Sequence, residues 1–96
     1  MNKYCMIETA SDNKEEINII AKQLLDKKLV ASCHVIESDS SWNWNKEREE
    51  AKEFLLQMKT NKKHQQDILN VIRNIHSYEC FEFAVYDIKS INKEYL

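Results

Sequence analysis

The stretch Glu47–Thr60, "EREEAKEFLLQMKT", decides the fold. Its first half is rich in Glu and Lys, both good helix formers. Its second half turns apolar at Phe54-Leu55-Leu56. We read it as one long strand continuing a hairpin whose turn or tip is the preceding "DSSWNWN". Everything else arranges itself around that strand. Tyr4–Thr9 alternates Tyr4 and Met6 against Cys5 and Ile7, apolar on both faces, which predicts a central strand. "ASDNKEEINIIAKQLLDKK" predicts a helix with Asp12 and Glu15 as a capping-box-like start. Its stripe is Ile17, Ile20, Ala21, Leu24 and Leu25. "LVASCHVIES" alternates as a second strand. "NKKHQQDILNVIRNIH" predicts a second helix, capped by Asn61, with Ile68, Leu69, Ile72 and Ile75 inward. "ECFEFAVYDI" predicts the last strand. The order β-α-β-β-α-β is the ferredoxin-like α+β sandwich. Its four-stranded antiparallel sheet takes the order 4-1-3-2, with two helices on one face.

The totals bound the function. Ninety-six residues make a single domain, residues 1–96, with a thin core that oligomer contacts often supplement. The sequence pI of about 5.9 argues against a nucleic-acid partner, which calls for a basic face. No apolar run approaches the roughly 18 residues of a membrane span, and no signal peptide is expected. Gly and Pro are both absent, which excludes glycine-rich phosphate loops and leaves turns to Asn, Asp and Ser. The only arginines are Arg48 and Arg73, so an acylphosphatase-type phosphate cradle is not expected. Cys5, Cys33 and Cys80 are odd in number and carry no CxxC spacing, which fits reduced thiols in the cytoplasm. All three fall in expected strands, where a thiol packs as a small hydrophobe.

One group of residues could carry chemistry. If the last strand lies antiparallel to the first, Glu8 at the end of strand 1 approaches Glu82 at the start of strand 4. His76 lies just before that strand. Imidazole and carboxylate suit Cu(II) or Zn(II), and three protein ligands leave a position open. The same residues also fit a polar rim, with His76 favoured by a helix dipole and the carboxylates solvated. Trp42 and Trp44, one residue apart, face one side of a hairpin arm. They either pack on their own sheet or anchor an oligomer interface in a neighbouring subunit, and we prefer the interface.

Several segments together resemble a known family, the CutA divalent-cation tolerance proteins. "SWNWNKEREEAKEFLLQMKT" is similar to the family's "Y-x-W … E-x-x-x-x-K-T". "KKLVASCHVI" looks like "EKLAACVNII", "IHSYECFEF" like "HPYEVPEI", and "INKEYL" like "NxDYLxWL". The resemblance covers essentially the whole chain. It implies a non-enzymatic homotrimer whose hairpins reach neighbouring subunits, with a role in binding copper or another divalent metal ion. It carries the family's metal residues onto His76 and Glu82, while the family's Cys aligns with Glu8. The departures are Glu8 for a thiolate, Ser77 and Phe81 for two prolines, Lys46 for a hairpin Gly, and an ending at Leu96. A hard oxygen in place of the thiolate disfavours Cu(I) and leaves Cu(II) or Zn(II). The alternative is a PII-like trimeric sensor holding a metabolite or anion in clefts between subunits, with Lys59 and Tyr78 as contacts.

Overall fold

The computed structural model describes residues 3–95. Met1, Asn2 and Leu96, on which the expectations about the chain's two ends fall, lie outside them. The elements are β1 (Tyr4–Ser11), α1 (Lys14–Asp26), β2 (Ser32–Trp44), β3 (Glu47–Asn61), a 3-10 turn (Lys62–His64), α2 (Gln65–Ile75) and β4 (Ala84–Asp87). The sheet order is β2-β3-β1-β4, and every neighbouring pair is antiparallel. This is the ferredoxin-like order expected from the sequence, with β1 in the interior.

Glu47–Asn61 is a strand along its whole length, pairing with β2 from Ser32↔Lys59 to Trp44↔Glu47. Its helix-forming first half is overridden by this ladder and by the alternation that follows. Leu56, Met58 and Thr60 are buried against the helices, while Leu55, Gln57 and Lys59 face the other way. The core joins Cys5 and Ile7 of β1, Leu56 and Met58 of β3, Ile17, Ile20 and Leu24 of α1, and Ile68 and Ile72 of α2. Both helices therefore cover the same sheet face. The opposite face carries Met6, Glu8, Ile36, Leu55 and Tyr86, placed there by register.

Four expectations are corrected. The segment "DSSWNWN" is mostly strand, and the turn is only Asn45–Lys46, with φ of 52° and 68°. Two consecutive positive φ values match a two-residue hairpin turn of the twist that adjoining strands require. Asn tolerates that backbone, whereas Lys46 holds it at a steric cost. Helix α1 is capped by Asn13, whose side chain accepts from Glu16 N–H, not by Asp12. Asn61 caps the 3-10 turn instead of α2. Finally, β4 is four residues long, not ten. Its ladder with β1 stops at Glu8↔Ala84. Beyond that point the Ala10 carbonyl accepts from the His76 ring and the Asp12 N–H donates to the Tyr78 hydroxyl. Side chains thus take bonds that a longer strand would have made. Cys80 consequently lies outside any strand and is exposed, while Cys5 is buried and Cys33 half-buried.

Candidate functional site

Register brings two of the expected site residues together. Glu8 pairs with Ala84, and Glu82 is two residues upstream, so both fall on the sheet face the helices leave open. Glu8 is half-buried, and its carboxylate accepts from Gln57 Nε2 at 2.9 Å. Partial burial, then the charge of Glu8 and a hydrogen bond with it, then the charge of Glu53, push the Glu82 carboxyl above its ordinary value. Glu82 is exposed as a residue, so the shift testifies mainly to its closeness to Glu8. Two carboxylates in one place resist double ionisation.

The third residue does not join them. The His76 side chain is fully buried, turned toward α1, with Nδ1 3.5 Å from the Glu16 carboxylate. Its Nε2 lies 2.7 Å from the Ala10 carbonyl oxygen, and its Nδ1 accepts from the Tyr78 backbone N–H at 3.1 Å. A carbonyl can only accept, so Nε2 carries the proton and Nδ1 offers its lone pair to Tyr78. Both ring nitrogens are spent, and the ring stacks on Phe81 at 4.9 Å. Among the described residues no group of three His, Cys, Asp or Glu side chains is placed to hold a metal. The expected set Glu8, His76 and Glu82 is therefore reduced, within one chain, to its two carboxylates.

Sequence reasoning missed the groups that hold this joint. The Glu16 carboxylate accepts from the hydroxyls of Ser11 at 2.7 Å and Ser77 at 3.2 Å. On the open face Glu53 is only 7% exposed, and accepts from the Tyr78 hydroxyl at 2.7 Å. Burial, reinforced by Glu53, drives the Tyr78 phenol far above its usual range. Capping logic near Asn13 could have flagged Glu16. Nothing in the "NKEREEAKE" charge run distinguishes Glu53 from its solvated neighbours.

The remaining expected sites fall as follows. Trp42 is half-buried, its ring 6.4 Å from that of Tyr78 of the same chain, while Trp44 is 38% exposed. Lys59 lies against the Tyr95 ring at 5.9 Å. Tyr78 is bonded to Glu53, six positions back along β3, about 20 Å at strand rise, so Lys59 and Tyr78 share no cleft within one chain.

Glu82 links the site to stability with a definite sign. Its folded-state pKa is raised, so the native state holds its proton more tightly than the unfolded chain. Stability is lost as pH rises from the ordinary carboxylate range through the raised value. Glu82→Gln is expected to raise the melting temperature at pH 7. The gain is expected to vanish in scans below the ordinary carboxylate range.

Comparison with known proteins agrees with the fold and the motifs. A family model described as "CutA1 divalent ion tolerance protein" matches residues 5–96. A divalent-cation tolerance protein CutA from Yersinia pestis (strain Pestoides F) is 31% identical over 96 residues, covering 99% of this chain and 80% of its own. Among solved structures, the periplasmic divalent cation tolerance protein CutA of Archaeoglobus fulgidus superposes with a TM-score of 0.93 at 29% identity, over 97% of this chain and 91% of that one. The divalent cation tolerance protein of Thermus thermophilus gives 0.91 at 25% identity, over 96% and 90%.

Proposed function

The chain belongs to the CutA1 divalent ion tolerance protein family, and on that premise we propose that it binds a divalent cation weakly, as a homotrimer, through the carboxylates of Glu8 and Glu82. The observation that carries this reading is the meeting of those two carboxylates on the open sheet face. Oxygen donors fit a divalent cation, and a cation relieves the repulsion that raises the Glu82 pKa. The donor set lacks the imidazole and thiolate that give copper sites their strength. The expected affinity is accordingly low, with Cu(II) ahead of Zn(II) in the usual order for a given site. On this reading the protein acts by holding the ion. The three free thiols support a reducing, cytoplasmic setting. Among the described residues no helix is long and apolar enough to cross a membrane.

What supports the trimer is the uncovered sheet face. A sheet face bearing apolar side chains needs a partner layer, and here the helices supply one side only. Ile36 is 44% and Tyr86 48% exposed on the other. Joining unlike surfaces of identical copies is the contact that closes cyclic rings.

Equilibrium dialysis against Cu(II) and Zn(II) across pH 4.5–7.5 tests the metal reading. Metal and proton compete for Glu82, so uptake is expected to fall as pH drops through its raised pKa. Uptake that stays constant over that range would remove these carboxylates as ligands.

A further inference from the structure

At the end of the subunit opposite the hairpin tip, a cavity of about 300 Å³ lies beside the last residues of β3. Its basic wall comes from two loops. Lys28 belongs to the connection from α1 to β2, and Lys63 and His64 belong to the 3-10 turn before α2. No Asp or Glu lines the cavity among the described residues. None of the three basic groups shares an ion pair with another of them. The half-buried His64 side chain makes no capping bond to α2. The chain's formal net charge is −2, so this wall departs in sign from the molecule that carries it. A concave wall of one sign focuses its field on the space in front of it.

This cavity is separate from the contact proposed between copies and from the carboxylate pair. Neither tryptophan lines it, nor do Ile36, Leu55 or Glu82. At this end the chain covers its own open face. The Tyr95 ring lies against Lys59 at 5.9 Å, and its hydroxyl donates to Ser32 Oγ. Ile36 stands four positions further along β2 from Ser32, roughly 13 Å at strand rise.

We propose that this cavity binds a small phosphate monoester, with the phosphate on Lys28, Lys63 and His64 and the body against Tyr4, Leu29 and Tyr95. A phosphate monoester is largely dianionic at neutral pH and takes up both lysine charges, where a carboxylate takes up one. Lysine holds phosphate as a point charge, so the site needs no glycine-rich loop. A cation is repelled. The volume stands at the small end of ligand sites, which limits the body to a few atoms.

The test is a calorimetric titration of glycerol 3-phosphate, with glycerol as the uncharged probe, into the metal-free protein at low salt. Glycerol 3-phosphate is expected to bind saturably, once per subunit, and glycerol to give no saturable heat. Affinity is expected to fall as salt rises. The Lys28→Gln/Lys63→Gln chain is expected to lose at least about tenfold. Lys14→Gln/Lys46→Gln removes the same charge from exposed positions away from the cavity and is expected to keep the wild-type affinity. The Ile36→Lys chain is expected to bind as the wild type does, because every wall comes from one chain. Absence of saturable binding overturns the proposal, as does an unchanged affinity in Lys28→Gln/Lys63→Gln. Equal losses in the two double variants overturn it in favour of net charge alone. Binding that disappears in the Ile36→Lys chain overturns it in favour of a cleft between copies.

Discussion

The Ile36→Lys chain is expected to run in solution as a single 11.5 kDa subunit, and the wild type, on the proposed trimer, at three times that mass. Ile36 pairs with Leu55 of β3 and stands on the face that neither helix covers. Burying an isoleucine against a partner contributes on the order of 1.5–3 kcal/mol. A lysine there presents a charge that must be desolvated, and a cyclic trimer repeats the penalty in each copy. Inside the subunit the substitution removes little, because the side chain is already 44% exposed. Light scattering coupled to size exclusion separates the outcomes. A wild-type monomer, or a substituted chain that remains a trimer, places the interface elsewhere or removes it.

His76→Ala carries the second large effect, and it falls on stability. The ring is fully buried, and both of its nitrogens are bonded across elements, to Ala10 on β1 and to the Tyr78 backbone. Alanine removes both bonds, leaves the Ala10 carbonyl and Tyr78 N–H without their partner, and opens a space beside Phe81. The expected loss is about 2–4 kcal/mol in urea unfolding. Metal affinity, measured where the variant is still folded, is expected to hold. A variant of unchanged stability whose metal affinity falls tenfold would restore His76 as a ligand.

His76 also marks where the sequence stopped being legible. The alternation in β1 and β3 and the stripes Ile17-Ile20-Leu24 and Ile68-Ile72 point to the sandwich directly, because local periodicity and global burial agree there. The approach of Glu8 to Glu82 follows from topology alone, since antiparallel pairing of the first and last strands forces it. The fate of His76 does not follow in this way. Its bond to Ala10 spans 66 positions, and a side chain bonding to a backbone carbonyl leaves no mark in composition or spacing. Motif logic counted an imidazole as free when it was already committed. Glu53 was hidden for a similar reason. It sits in a run of charged residues, and only the Tyr78 side chain closing over it makes it different. The shortness of β4 follows from the same bonds, because His76 bonds Ala10 on β1 and Tyr78 bonds Asp12 just past its end, where the strand was expected to continue.

Glu8 and Glu82 are thus proposed to hold the divalent cation, while His76 holds the joint together. Calorimetric titration of Zn(II) and Cu(II) at pH 7 into wild type, Glu8→Gln and Glu82→Gln tests that most directly. Each substitution removes one charged oxygen donor while keeping the side chain's shape. Loss of one of two anionic ligands is expected to weaken binding by at least about tenfold, or 1.4 kcal/mol. Both variants are expected to remain folded, with unchanged mass in solution. Affinities equal to wild type in both would contradict the assignment and send the search for the ion to other residues.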